Sequence, residues 1–111
     1  MGVYDTATKL ASEIKNSKEY KDFRKSMQDV KSDKECEKLL KDYRLVQMQI
    51  QSYSMKNQQI DKKTNTKIEN TKKKVTNNKK LYNYLTNEQK LTLMMDNINK
   101  ILAQAVEKDY K

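Results

Sequence analysis

The chain has 111 residues, 35% of them charged and 35% hydrophobic, with a net charge of +9, no histidine, no proline, one glycine and one cysteine. Without histidine the usual near-neutral acid–base group, the Ser/Cys–His nucleophile pairs and the commonest transition-metal ligand are all missing. One cysteine cannot close an intramolecular disulfide, and the scarcity of glycine and proline removes the turn chemistry that an all-β or βαβ fold needs.

What remains is an all-α protein, read as a single domain over residues 1–111 with a thin core. A mean hydropathy of −1.12 leans towards disorder unless periodicity concentrates the apolar residues, and here it does. The start Met1-Gly2-Val3-Tyr4-Asp5-Thr6 fits the loose N-myristoylation pattern, while the plainer reading has Asp5 or Thr6 capping the first helix. Tyr4, Ala7, Leu10, Ala11 and Ile14 predict a short helix ended by Asn16-Ser17. Asn16 with Glu19 can cap a second helix, along which Tyr20, Phe23, Met27 and Val30 continue to a break at Ser32-Asp33.

Ser32 and Glu35 form a Ser-x-x-Glu capping box that opens a third helix over about 34 to 57, on the order of 35 Å long. Its residues Cys36, Leu39, Tyr43, Val46, Ile50 and Tyr53 recur in steps of three and four and line one seam. Leu45, Met48 and Met55 make a second apolar stripe roughly half a turn away, so this helix must be sandwiched between neighbours or shared with another chain. Asp61 can cap a fourth segment, poor in apolar residues apart from Ile68 and Val75, that runs to Asn77-Asn78. A last helix over about 79 to 108 carries a broad stripe from Leu81 to Val106. A shift of 45 residues superposes Val30 on Val75, Asp33 on Asn78, Cys36 on Leu81 and Val46 on Leu91, through either an internal duplication or two helices obeying one packing rule.

The residues that could carry function are few. Lys62, Lys63, Lys67, Lys72, Lys73, Lys74, Lys79 and Lys80 face one acid, Glu69, in their stretch, and such a patch could bind a polyanion through counterion release. The chain holds only Arg24 and Arg44 as arginines, and lysine is the poorer bidentate phosphate ligand, so a solvated basic face is the plainer account. Tyr43, Tyr53 and the methionines Met48, Met55, Met94 and Met95 suit an adaptable partner surface or ordinary core packing. Cys36 on the seam reads as a small hydrophobe. Carboxylate pairs such as Asp33/Glu37 and Glu35/Asp42 lie among lysines with nothing to raise a pKa for catalysis. Residues 1 to 30 hold no apolar run, and no window approaches the roughly 18 apolar residues of a membrane span, so a cytoplasmic protein is expected.

Tyr4-Asp5 with Ala7 and Leu10, Ser17-x-Glu19-Tyr20, Val30-x-x-Asp33 followed by Leu39-Leu40 and Tyr43, then Gln47 and Gln49, Val75-x-x-Asn78, Tyr84-Leu85 and the apolar run around Ile98 and Ile101 occur in that order. In this order and spacing the chain resembles the YlbF/YmcA/YheA family of small bacterial helical proteins over nearly its whole length. The resemblance implies a dimer-forming, cytoplasmic helical protein without known enzymatic activity, related to accessory factors. Those relatives assemble with one another and with other proteins to influence competence, sporulation, biofilm formation and RNA processing by a membrane-anchored endoribonuclease. Some of them carry cysteines implicated in iron–sulfur binding; a thiolate-held cluster needs about four, so the cysteine-poor, YheA-like branch is the nearer comparison.

The expectation is therefore an all-α fold of about five helices, with the two long ones near 34 to 57 and 79 to 108 packed lengthwise and a homodimer built on surplus apolar stripes. The chain would be a non-catalytic regulatory adaptor with no cofactor, no metal and no membrane, partnered by itself, a paralogue or a larger RNA-processing protein. Tyr43, Val46, Ile50 and Tyr53 are the expected self-association seam. The alternative is a small basic nucleic-acid-binding module working through Lys62 to Lys80.

Overall fold

Five α-helices follow one another in the computed structural model, which describes residues 2–110 and, for Tyr110, the backbone. They are α1 (Val3–Lys15), α2 (Lys18–Lys31), α3 (Lys34–Met55), α4 (Lys62–Asn77) and α5 (Lys79–Glu107), closed by a short 3₁₀ turn, Lys108–Tyr110. Among the described residues there is no strand, as the all-α reading expects.

Local chemistry places the helix ends, with three corrections to the expected caps. Gly2, in a left-handed conformation at φ 80°, is the N-cap of α1 and has no side chain to offer. Asp5 sits in the first turn, and the Thr6 hydroxyl donates back to the Gly2 carbonyl. Met1 of the myristoylation-like start lies outside the described residues. Ser17, not Asn16, opens α2: its hydroxyl accepts the Tyr20 N–H at 3.2 Å and donates to the Ile14 carbonyl at 2.6 Å, bridging the end of one helix and the start of the next. Asp33, not Ser32, opens α3, because its carboxylate reaches the N–H groups of both Glu35 and Cys36 and a charged acceptor at a helix N-terminus outcompetes a neutral hydroxyl. Ser32 instead donates to the Asp29 carbonyl, finishing α2.

The end of α3 falls at Met55, two residues short of expectation. Asn57 takes φ 56°, its N–H bonds the Ser54 carbonyl, and the Gln58 N–H bonds the Tyr53 carbonyl. This is a Schellman closure, with asparagine in the left-handed position where glycine is usual. Asp61 then caps α4 as predicted, accepting the Thr64 N–H at 2.7 Å.

The chain divides into two compact units, 26–84 and 1–25 with 85–111, and α2 and α5 contribute residues to both. All the described residues that are buried belong to the first: Ser26, Val30, Cys36, Val46, Ile68, Val75, Leu81 and Tyr84. Within it α3 and α4 pack side by side. Burying a Val or Leu side chain is worth about 1.5–3 kcal/mol, so these few residues carry most of the unit's stabilisation. In the second unit Leu10, Ile14, Tyr20, Phe23, Leu91, Met94, Met95 and Ile98 are half-buried and none is sealed. The Arg24 guanidinium lies 6.0 Å from the Tyr20 ring centroid, a cation–π contact at the edge of that layer.

Candidate functional site

The segments related by the 45-residue shift begin their helices in the same way. Asp33 caps α3 through the N–H of Cys36, three residues on, and Asn78 caps α5 through the N–H of Leu81, also three residues on. The apolar residues flanking each cap, Val30 and Cys36 in one case and Val75 and Leu81 in the other, are all buried. The two starts also bond to each other. The Cys36 thiol donates to Asn78 Oδ1 at 3.2 Å, and the Lys80 ammonium pairs with Asp33 Oδ2 at 3.2 Å. The Cys36 N–H first, then the Lys80 ammonium, keep Asp33 below the ordinary carboxylate range. Burial pushes the Cys36 thiol up, so it remains protonated and is a structural group.

The structure puts the expected self-association seam in differing surroundings. Val46 is 2% exposed and belongs to the chain's own core, whereas Tyr43, Ile50 and Tyr53 are half-buried. Tyr43 and Ile50 border an open groove with Met55 and Lys72. The cap bonds to Thr64, with lesser contributions from Lys63 and Tyr53, hold Asp61 below the usual carboxylate range. The second stripe stays in solvent: Leu45, Met48 and Met55 are all exposed.

The basic patch is also sorted by the fold. Lys62, Lys63, Lys67, Lys72, Lys73 and Lys74 are exposed along α4, Lys79 and Lys80 open α5, and Lys80 is engaged by Asp33. Beside α4 an open groove of about 670 Å³ has Leu45, Val46 and Met48 on the α3 wall and Lys63, Lys67 and Lys74 on the α4 wall. Periodicity announced both walls separately, but their meeting across a hairpin is a tertiary fact that it could not announce. In the second unit Leu93, Met94, Ile98 and Ile101 line a smaller groove of about 350 Å³ together with Glu19. Beyond it, Ile101, Leu102 and Val106 are exposed, as are Val3 and Tyr4 on α1. Among the described residues no three Cys, Asp or Glu side chains stand together as a metal site, and no helix is long and apolar enough to cross a membrane.

A family model described as control of the competence regulator ComK, YlbF/YmcA, matches residues 3–107. A UPF0342 protein of Clostridium novyi is 33% identical over 110 residues, covering 99% of this chain and 96% of its own. A second, of Halothermothrix orenii, is 33% identical over 107 residues, covering 96% and 91%. Among solved structures, a protein of unknown function (DUF964) from Bacillus stearothermophilus matches with a TM-score of 0.78 at 16% identity, over 100% of this chain and 97% of that one. Bacillus subtilis RicA, solved in complex with RicF, matches with a TM-score of 0.68 at 18% identity, over 98% and 96%. At these identities the two structures establish a shared fold.

Proposed function

The chain belongs to the YlbF/YmcA family, described as control of the competence regulator ComK, and on that footing we propose that it is a non-catalytic adaptor acting by helix-mediated association with itself and with a protein partner. The observation that carries this reading is the far half of α5, where Ile101 is 65% exposed and Leu102 and Val106 at least half exposed, in a unit with no sealed core. Apolar side chains of this size, repeated along one helix, gain free energy when a second surface covers them. That the related RicA was solved with RicF bound supports a role exercised through protein partners. In this reading the physiological output is RNA processing or developmental control, exerted in the cytoplasm.

A homodimer would form through the far half of α5, leaving Val46 to the internal packing of the α3–α4 hairpin. Sedimentation equilibrium tests this. Wild type should be dimeric on the order of 10 µM, and Ile101→Lys with Leu102→Lys should be monomeric with unchanged helicity, since neither residue is buried. A monomeric wild type at that concentration would remove self-association from the proposal.

A further inference from the structure

The geometry points to the groove between α3 and α4 as the seat of an amphipathic helix with acidic flanks, supplied by a partner protein. This rests on the adaptor reading and deepens it by naming the chemistry of the partner. One wall presents Leu45 and Met48, 59% and 64% exposed, above a floor at Val46. The other presents Lys63, Lys67 and Lys74, spaced by four and seven residues and so on one face of α4. Over Lys63 to Lys74 that face runs about 16 Å, or three helical turns. Asp42 is the one carboxylate among the described lining residues.

An occupant must therefore bring an apolar ridge for Leu45 and Met48 and carboxylates for the lysine wall. A helix does both at once, because residues at i, i+3, i+4 and i+7 form its ridge while its flanks remain polar. Methionine adapts to the contour of such a ridge. A second copy of this chain fits poorly: it carries the same net charge of +9, and its most acidic stretch, from Asp33 to Asp42, interleaves Lys34, Lys38 and Lys41 with the acids. A nucleic acid would answer the lysines but would leave Leu45 and Met48 against phosphates, and no described aromatic side chain lines the groove for base stacking.

The test is fluorescence anisotropy of a labelled peptide of about 14 residues, with leucines at the ridge positions and glutamates on both flanks, titrated with the full chain. Saturable binding is expected, weakening about tenfold in Lys67→Glu/Lys74→Glu and in Leu45→Ser/Met48→Ser, and falling with added salt. The substituted residues are exposed, so circular dichroism should match wild type. A companion peptide with lysines in place of the glutamates should not bind. The proposal is overturned if the acidic peptide fails to saturate at low ionic strength, if the lysine peptide binds equally, or if the variants bind as wild type does. It is equally overturned if an RNA oligonucleotide binds where the peptide does not, or if the peptide dissociates a dimer, which would make the groove a contact between copies. Oligomeric state read in the same samples separates the two proposals: a dimer that ignores the peptide removes this one and leaves self-association standing, and a monomer that binds it does the reverse.

Discussion

Asn78 Oδ1 accepts from the Cys36 thiol at 3.2 Å and from the Leu81 N–H at 3.1 Å, so one side-chain oxygen caps α5 and ties it to the first turn of α3. Asp33 mirrors it, capping α3 and pairing with Lys80 in the first turn of α5. The two helix starts thus stabilise each other across 42 residues of chain. The 45-residue shift thus superposes two helix starts, those of α3 and α5, turned at the same kind of cap.

Replacing Asn78 with Ala removes that shared acceptor. The lost cap costs about 1 kcal/mol, and the buried thiol loses its partner as well, so urea unfolding should show a loss of about 1–2 kcal/mol. Asn78→Asp keeps the cap and should retain most of the stability. Equal stability of Asn78→Ala and wild type would contradict the assignment.

Asp33 and Asp61 are both held below the ordinary aspartate value of 3.8, so the folded state favours their charged forms. Their contribution is complete above that value and is lost as pH falls through the lower folded values. Thermal midpoints should be flat down to about pH 5 and then fall, and Asp33→Asn with Asp61→Asn, which keeps both caps but not the charges, should flatten the acid limb. An unchanged acid limb in the double variant would count against these carboxylates as its source.

Cys36 is 2% exposed, and its burial favours the thiol over the thiolate. Reaction with a disulfide reagent at pH 8 should therefore proceed through opening of the fold, at least about 100-fold slower than in urea. Rapid labelling of the native protein would show that the α3–α5 contact is not sealed.

Asn57, at φ 56°, occupies a conformation that a side chain with a Cβ resists. Asn57→Ala should lose about 1 kcal/mol, whereas Asn57→Gly should equal or exceed wild type, measured as the midpoint of urea unfolding.

Val46→Asp separates internal from intermolecular packing. Because Val46 is sealed within the chain, an unpaired charge there should unfold the hairpin, seen as lost helicity at all concentrations. A folded monomer would instead place Val46 at an interface between chains.

The helices were legible in the sequence because their signals are local. Periodicity at Tyr20, Phe23, Met27 and Val30, or at Leu81, Tyr84 and Leu85, and polar breaks at Ser32-Asp33 and Asn77-Asn78 act within a turn or two. The caps of α2 and α3 were legible to within one residue, Ser17 displacing Asn16 and Asp33 displacing Ser32 because in each case the neighbouring side chain reaches the exposed N–H groups at hydrogen-bonding distance, whereas α1 is capped at Gly2 and not at Asp5 or Thr6. That distance is a matter of backbone geometry, which composition does not specify.

Composition and spacing by themselves determined an all-α chain without histidine chemistry, with apolar stripes on two sides of α3 and a lysine-rich α4. Which stripe became core was decided by tertiary structure, since Val46 and Leu45 are adjacent in sequence and equally apolar, and only the line along which α4 lies buries one and exposes the other. The same holds for Lys80, one of eight similar lysines until the fold brings it to Asp33, 47 residues away. Both outcomes depend on contacts between distant segments, and a local pattern carries no information about which distant segment will arrive.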